Sequence, residues 1–320
     1  NMALVPQNTS LLNTFAQDFT ELMKDESLYD LKIILPNGKI ILGHKFCIMV
    51  RSMKFRKFFQ KSDTITEAQM IEEIPLEKIV GSSFLSSQAI SSAFEELFFY
   101  FYHDALNAGN WDIITANKEN FLAFIQLVKI LEMKHLVEPT LKKIEEYLSA
   151  NNAVNLLNGI MKLIDSKLLI EENNLEDLYD EAAEKCIKFF ENKDALHESD
   201  FSTFNMGNLS LGSFNYLMEN IYSTNKNNIQ ETKKFLLAIN WFNSKKSETA
   251  AKIQEDIFQN VEFPLIPPVT LATKISDIKK ISPERYQDVL DAVVIQLANK
   301  CEQLEQAANE YMRTLEQRLQ

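Results

Sequence analysis

The alternation of apolar and polar positions near the start of the chain predicts a β-hairpin followed by short helices. The run from Leu31 to Leu35 (Leu-Lys-Ile-Ile-Leu) is rich in β-branched residues, which favours a strand. Pro36-Asn37-Gly38 supplies turn chemistry, and residues 39–42 form the return strand. From Lys45 the apolar period becomes helical. Ser52 can then cap a further short helix that carries the phenylalanines Phe55, Phe58 and Phe59.

The following segments complete a first half of mixed α and β structure. Residues 60–70 are polar and predict a surface loop, and residues 71–76 predict a short edge strand with a proline near its end. The Ser-rich stretch 81–92 predicts an insertion or a long loop before the next helix. Apolar residues then recur at helical spacing, which predicts helices over 89–103, 120–131 and 137–148.

Beyond residue 150 the apolar pattern is helical and predicts no strand. Helices are expected over 153–169, 174–190, 211–222, 230–243 and 250–258. Residues 261–268 (Val-Glu-Phe-Pro-Leu-Ile-Pro-Pro) interrupt this pattern, and their three prolines forbid a helix there. The sequence therefore predicts an α+β domain over residues 10–150 and an all-α domain over residues 151–280.

An amphipathic helix is also expected before the first strand. Thr9-Ser10 can cap a helix running to about Lys24, and apolar residues recur along it at spacings of three and four. The resulting stripe is rich in phenylalanine and needs a partner surface. Its principal members are Leu12, Phe15, Phe19 and Leu22.

The last segment, residues 283–320, predicts a long helix with a seven-residue repeat. Apolar or small residues alternate four and three apart over nearly four heptads, at Leu290, Val294, Leu297, Cys301, Leu304, Ala308, Tyr311 and Leu315. Cys301 and Ala308 are weak seam residues, and charge pairing along the flanks is thin. Packing against its own chain and an intermolecular coiled coil are both compatible with this pattern.

Composition narrows the classes of function. The chain has 320 residues, enough for roughly two domains, and a net charge of −12, which argues against binding a phosphate backbone. Its seven glycines are not clustered, which argues against an enzyme that depends on a nucleotide. The four histidines share no metal-ligand spacing with one another or with the cysteines. We therefore expect no catalytic residues, no metal and no cofactor.

Cysteine usage and the apolar runs bear on the compartment. Cys47, Cys186 and Cys301 are far apart in sequence, which suggests a reducing compartment with no disulfide framework. No apolar run is long enough to cross a bilayer, and no secretory signal is recognisable. The expectation is a cytoplasmic protein that binds neither membrane nor nucleic acid.

The segment from Asp30 to Phe59 resembles the start of a BTB/POZ domain. The resemblance comprises an Asp before alternating apolar residues, a turn, a second alternating strand, then Gly-His-Lys, an apolar helix, Arg-Ser and spaced phenylalanines. These are Asp30, Leu31, Ile33, Leu35, Gly38, Ile40, Leu42, Gly43-His44-Lys45, Arg51-Ser52, Phe55 and Phe58-Phe59. Residues 93–106 and 120–148 resemble the later helices of that domain, so the resemblance covers residues 10–150.

The second half resembles a BACK domain, the helical extension that often follows BTB. The resemblance lies in Asn151 and Leu156-Leu157, in Glu231 and Trp241, and in the run from Val261 to Leu265. Glu262 stands where the BACK family usually has a basic residue. Kelch repeats, a common third module, are absent from this sequence.

The BTB resemblance implies roles for individual residues. His44 is expected to hold the hairpin to the helical layer by polar contacts, and the N-terminal helix to pack across a homodimer interface through Leu12, Phe15, Phe19 and Leu22. Adaptors of cullin-3 ubiquitin ligases carry an apolar-x-Glu motif after the Phe helix, for which Ile65 and Glu67 are candidates. Phe58, Phe59, Tyr102 and His103 are further candidate cullin contacts.

The sequence thus predicts a dimeric, non-enzymatic adaptor that recruits a cullin-3 ubiquitin ligase to an unknown substrate protein. The alternative is a structural scaffold that self-assembles without a cullin, using its tail as a coiled coil. Either protein could be a secreted effector of an intracellular pathogen acting in the host cytosol.

Overall fold

The computed structural model of the chain describes residues 21, 25–61, 71–81, 83, 85–103, 106, 108–166, 178–192, 206–222, 227–245 and 257–319. Three short strands form a sheet near the N-terminus, in the order β2-β1-β3. Strand β1 (Leu31–Ile34) is antiparallel to β2 (Ile40–Gly43) and parallel to β3 (Glu72–Pro75). These bounds confirm the predicted hairpin and the predicted edge strand.

Gly38 makes the hairpin turn possible. Its φ is +84°, a conformation that glycine adopts without the penalty a side chain would bring. The Asn37 side chain supports the turn by accepting a hydrogen bond from the Lys39 backbone N–H at 3.0 Å. The chain therefore reverses directly into β2.

Helices surround this sheet and continue to Tyr147. In chain order they are α1 (Lys45–Arg51), α2 (Met53–Lys61), α3 (Glu77–Val80), α4 (Ser87–His103), α5 (Ala108–Thr115), α6 (Lys118–Ile130) and α7 (Lys134–Tyr147). Every residue of α6 from Phe121 to Ile130 is buried, as expected for a helix covered on all sides. The Oε1 atom of its polar Gln126 accepts a hydrogen bond from the Ser83 Oγ at 2.8 Å.

Ser52 fixes the junction between α1 and α2. Its Oγ accepts a hydrogen bond from the Phe55 N–H at 3.2 Å, which is the predicted helix cap. The same hydroxyl donates to the backbone carbonyl of Leu131 at 2.6 Å. Phe55 is fully buried. One serine therefore caps α2 and ties it to the end of α6.

The second half of the Ser-rich stretch is the start of a helix, so the segment before that helix is shorter than the long loop predicted over 81–92. The helix α4 begins at Ser87, within the stretch. The Ser86 Oγ lies 3.2 Å from the Ala89 N–H and accepts its hydrogen bond, while the Ser91 hydroxyl donates to the Ser87 carbonyl at 2.7 Å. Serine competes with helix in the middle of a segment but favours its first turn, which explains the error.

Most of the rest of the described chain is helical, as predicted, but the helix expected over 250–258 lies largely outside the described residues. Its helices are α8 (Ala153–Asp165), α9 (Leu178–Asn192), α10 (Leu211–Asn220), α11 (Asn228–Ser244), α12 (Pro268–Thr273), α13 (Ile275–Ile281) and α14 (Tyr286–Leu319). The expectation that the prolines forbid a helix fails at Pro268, which begins α12. Proline is tolerated there because its missing N–H would have had no partner in the first turn. None of the described helices is both long and apolar enough to cross a membrane.

Contacts divide the chain into two compact units. The first comprises residues 1–148 and Gly159–Cys186, and the second comprises Ser149–Asn158 and Ile187–Gln320. Part of the segment beyond the predicted boundary at residue 150 thus groups with the first unit. Lys129 lies over the ring of Tyr179 at 4.1 Å, and Lys185 pairs with Glu145 at 2.5 Å.

The second unit has its own aromatic core. The rings of Phe214 and Trp241 stack with their centroids 4.0 Å apart, and the Trp241 indole donates to the Leu209 carbonyl at 3.0 Å. Both side chains are fully buried. A stacked aromatic pair whose polar atom is satisfied stabilises such a core beyond the area it buries.

Replacing Gly43 by alanine is expected to destabilise the first unit. A Cβ there would lie 2.7 Å from Phe98 Cζ and 2.9 Å from Tyr102 Oη, closer than such atoms approach. We expect a loss of about 1–3 kcal/mol in the free energy of unfolding, measured by urea denaturation. Gly212→Ala is the control, since nothing lies within 4 Å of its added methyl. It should stabilise the exposed first turn of α10 by about 0.5–1 kcal/mol; equal effects at both glycines would contradict the packing argument.

Candidate protein interface

His44 joins the sheet to the helical layer. It lies between β2 and α1 and is only 6% exposed. Its backbone N–H donates to the Tyr102 hydroxyl oxygen at 2.9 Å, and its Nδ1 lies 2.9 Å from the same oxygen. Since that oxygen accepts from the backbone, its proton is available for Nδ1. The predicted role of His44 as a structural polar contact is confirmed.

Asp30 completes the junction from the other end of the hairpin. Its carboxylate accepts the Lys45 N–H at 2.7 Å, which caps the first turn of α1. Its backbone N–H donates to the Gly43 carbonyl at 3.2 Å, and its carbonyl accepts from the Glu72 N–H at 3.1 Å. One aspartate therefore links all three strands to the first helix.

Burial shifts the pKa values of His44 and Tyr102 in the directions that favour their neutral forms. Desolvation lowers the pKa of His44, an effect that the nearby Asp30 carboxylate opposes in part. Burial also raises the pKa of Tyr102 above its usual range. The unfolded chain binds a proton at His44 more readily than the folded chain does. The stability that neutral His44 contributes is therefore complete above the ordinary histidine pKa and is lost as the pH falls below it.

The structure changes the interpretation of the predicted contacts on α4. Tyr102 is 2% exposed, so its side chain cannot offer a partner a surface and instead positions the β2–α1 junction. His103 is half-buried and stacks on the Phe99 ring, with centroids 3.7 Å apart. Of these two predicted cullin contacts, only His103 reaches the surface.

Phe58 and Phe59 lie half-buried on α2, where the sequence predicted a contact surface. Phe59 stacks on the buried Phe55 ring at 6.0 Å and meets Phe58 edge-on at 5.6 Å. The ammonium of Lys45 lies 5.8 Å from the centre of the Phe59 ring. The two rings are therefore held in place while part of each faces solvent.

Two cationic side chains precede these rings on α2 and have partners of their own. The Arg56 guanidinium donates to the Met49 carbonyl at 3.1 Å, and the Lys57 ammonium pairs with Glu132 at 3.0 Å. Glu132 is 7% exposed and has a positive φ of 53°, at the turn that follows α6. The ion pair thus fixes α2 to the same turn that accepts the Ser52 hydroxyl.

Other predicted contact residues lie outside the described part of the chain. Ile65 and Glu67, the candidate cullin motif, are among them. So are Leu12, Phe15, Phe19 and Leu22, the proposed dimer stripe. Their roles stay predictions.

The structure also exposes apolar residues that the sequence assigned to strands and helices without a role. Phe46 and Val50 lie one turn apart on α1 and are 64% and 45% exposed. Ile40 and Leu42 lie two apart on the neighbouring edge strand β2 and are 49% and 40% exposed. Large apolar side chains left exposed on consecutive elements are candidates for an interaction surface. Their spacing was visible in the sequence, but it is equally that of a core face.

The small sheet, the helices that surround it and these half-exposed rings describe a protein-interaction module. Residues 19–149 match the model of the BTB/POZ domain family, so this part of the chain is a BTB/POZ domain. None of the curated proteins matches the chain. The match confirms the family that the hairpin residues resembled, whereas the BACK resemblance of the second half stays a prediction.

Removing the Tyr102 hydroxyl is expected to weaken the junction. Tyr102→Phe leaves the buried His44 N–H and Nδ1 without that partner, which costs about 1–3 kcal/mol in the free energy of unfolding. Tyr179→Phe is a matched control, because the Tyr179 hydroxyl is buried and has no hydrogen-bond partner among the described residues. Urea denaturation should show no loss for Tyr179→Phe. Equal losses for the two variants would contradict the role assigned to Tyr102.

Proposed function

We propose that the chain is a non-enzymatic adaptor that recruits a cullin-3 ubiquitin ligase to a substrate protein. The observation that carries the proposal is the half-buried placement of Phe58 and Phe59, in contact with one another, on α2 of a BTB/POZ domain. Aromatic rings make effective anchors because they bury a large area while losing little side-chain entropy. A BTB/POZ domain is a protein-interaction module, which supports a partner at this surface.

The way α2 is held supports a preorganised contact. Ser52 bonds the start of the helix to Leu131, Phe55 fills the core beneath it, and Lys57 pairs with Glu132. A surface held in its bound geometry avoids the cost of ordering at association. Ile65 and Glu67 follow this helix in the chain and would extend the contact.

The mechanism is proximity. A cullin scaffold held at the BTB/POZ domain and a substrate held elsewhere on the same chain would meet at a raised effective concentration. The helical second unit and α14 are the parts of the chain available for the substrate. This function places the protein in a eukaryotic cytosol, including a host cytosol if the protein is an effector.

The cullin contact can be tested by measuring binding of purified cullin-3 to the full chain. Phe58→Asp and Ile65→Asp should each weaken binding by about 30-fold or more, the effect of losing an anchor worth about 2 kcal/mol. The control is Ile229→Asp on α11, where the replaced side chain is 69% exposed in the second unit. It should bind as the wild type does. If the wild type does not bind cullin-3, the adaptor hypothesis is wrong and the scaffold hypothesis remains.

The same domain is proposed to form a homodimer. The N-terminal stripe needs a partner surface, and Phe46 and Val50 on α1 present exposed apolar side chains that could provide one. Isologous dimers are the commonest oligomers, and each copy in such a dimer supplies both halves of the contact. The exposed apolar side chains of α14 also favour self-association, which keeps the scaffold as a second candidate.

Dimerisation through α1 predicts that Phe46→Asp shifts the protein towards monomer. We expect sedimentation to show a dissociation constant raised at least tenfold, because a charge would replace the most exposed apolar side chain of α1. The measurement is made in a Leu304→Asp background, so that α14 does not contribute. Ile113→Asp is the control in the same unit, at a residue 53% exposed on α5. A dimer unaffected by Phe46→Asp would exclude this surface.

A further inference from the structure

Helix α14 leaves the body of the second unit partway along its length. Near its start Val289 and Ala292 are buried, and the Gln296 side-chain amide donates to the Pro264 carbonyl at 2.6 Å. From Leu297 to Arg313 every residue is exposed. Within the described part of the chain, nothing covers this half of the helix.

The exposed half nevertheless carries an ordered apolar seam. In heptad terms its a positions are Val294, Cys301 and Ala308, and its d positions are Leu297, Leu304 and Tyr311. The large members among these are 48–67% exposed. A strict seven-residue repeat keeps such a seam on one face only when the helix supercoils around a partner.

We propose that this seam binds the same helix of a second copy, forming a parallel, in-register, two-stranded coiled coil. A β-branched residue at an a position with leucine at the neighbouring d positions favours two strands, which is the arrangement of Leu290, Val294 and Leu297. Residues 294–313 span about 30 Å at 1.5 Å per residue. Most of the stability of a helix in a protein comes from packing of its apolar face, so a partner on this seam would stabilise the segment.

Charge complementarity selects the parallel direction. In a parallel pair Lys300 at g faces Glu305 at e of the second copy, and symmetry repeats this contact on the other side. The antiparallel register centred between Cys301 and Leu304 would place these charges beside Ala307 and Ala298 instead. The antiparallel registers one heptad away bring Lys300 against Lys300, or Glu305 against Glu305.

In-register pairing places the two Cys301 side chains in the same layer of the seam. Cys47 and Cys186 are buried, so Cys301 is the one exposed thiol of the three. Copper-phenanthroline with oxygen can oxidise two such thiols, forming one S–S bond while two electrons pass to the oxidant and two protons to water. Cross-linking therefore reports whether the two helices meet, independently of cullin binding.

The first test is oxidation of the full chain followed by non-reducing electrophoresis. A covalent dimer should form with the wild type, and none with Cys301→Ser. Leu304→Asp, at a d position, should slow cross-linking at least tenfold. Ile295→Asp is the matched control, because Ile295 is 59% exposed on the same helix but lies off the seam. No cross-link in the wild type, or equal rates for the two Asp variants, would overturn the proposal.

The direction is tested by moving the thiol. In a Cys301→Ser background, Ala308→Cys places a thiol one heptad further along, at the next a position. A parallel in-register pair should cross-link as fast through residue 308 as through residue 301, whereas a given antiparallel register can juxtapose one of these layers at most. Failure of the Ala308→Cys variant to cross-link would exclude the parallel arrangement. Loss of cullin binding with cross-linking retained would count against the adaptor alone.

Discussion

The shared hydroxyl of Tyr102 is the contact on which the geometry of the first unit depends. Its oxygen accepts a hydrogen bond from the backbone N–H of His44 and also lies close to Nδ1 of the same residue; both distances are 2.9 Å. A Cβ at Gly43 would occupy this space, which explains why a glycine precedes the histidine. Buried polar groups that hydrogen-bond to one another specify a geometry, because a buried group left without its hydrogen bond costs free energy. The turn from sheet to helix is therefore fixed in position and direction.

The candidate interface follows from that constraint. Asp30 caps α1 on the far side of the junction, and the next helix begins at the Ser52 cap. Ser52 and the Lys57–Glu132 pair each tie α2 to the turn at the end of α6. The half-exposed rings of α2 are thus placed by contacts made elsewhere, and a partner would meet a surface that does not need to be ordered.

Much of this fold could be predicted from sequence, because apolar residues recur at strand spacing in the hairpin and at helical spacing in the long helices. Helix α5 could not, since it is eight residues long and contains Gly109 and Asn110, which are poor helix formers. The burial of Tyr102 could not be predicted from the sequence either. A tyrosine at the end of an aromatic helix can lie at a binding surface or pack in the core, and the sequence pattern is the same in both cases. Exposure of Phe46 depends on what covers α1, and periodicity cannot tell a partner copy from the chain's own core.

The weak layers of the α14 seam bear on how the two proposed contacts would work together. Cys301 and Ala308 bury little apolar area, so a seam of this length associates weakly by itself. If the BTB/POZ domains already pair, two tails held near one another meet at an effective concentration far above that of free molecules. Each contact then strengthens the other without any further interaction between them. Weak layers are therefore sufficient for a tail whose pairing is reinforced by pairing of the BTB/POZ domains.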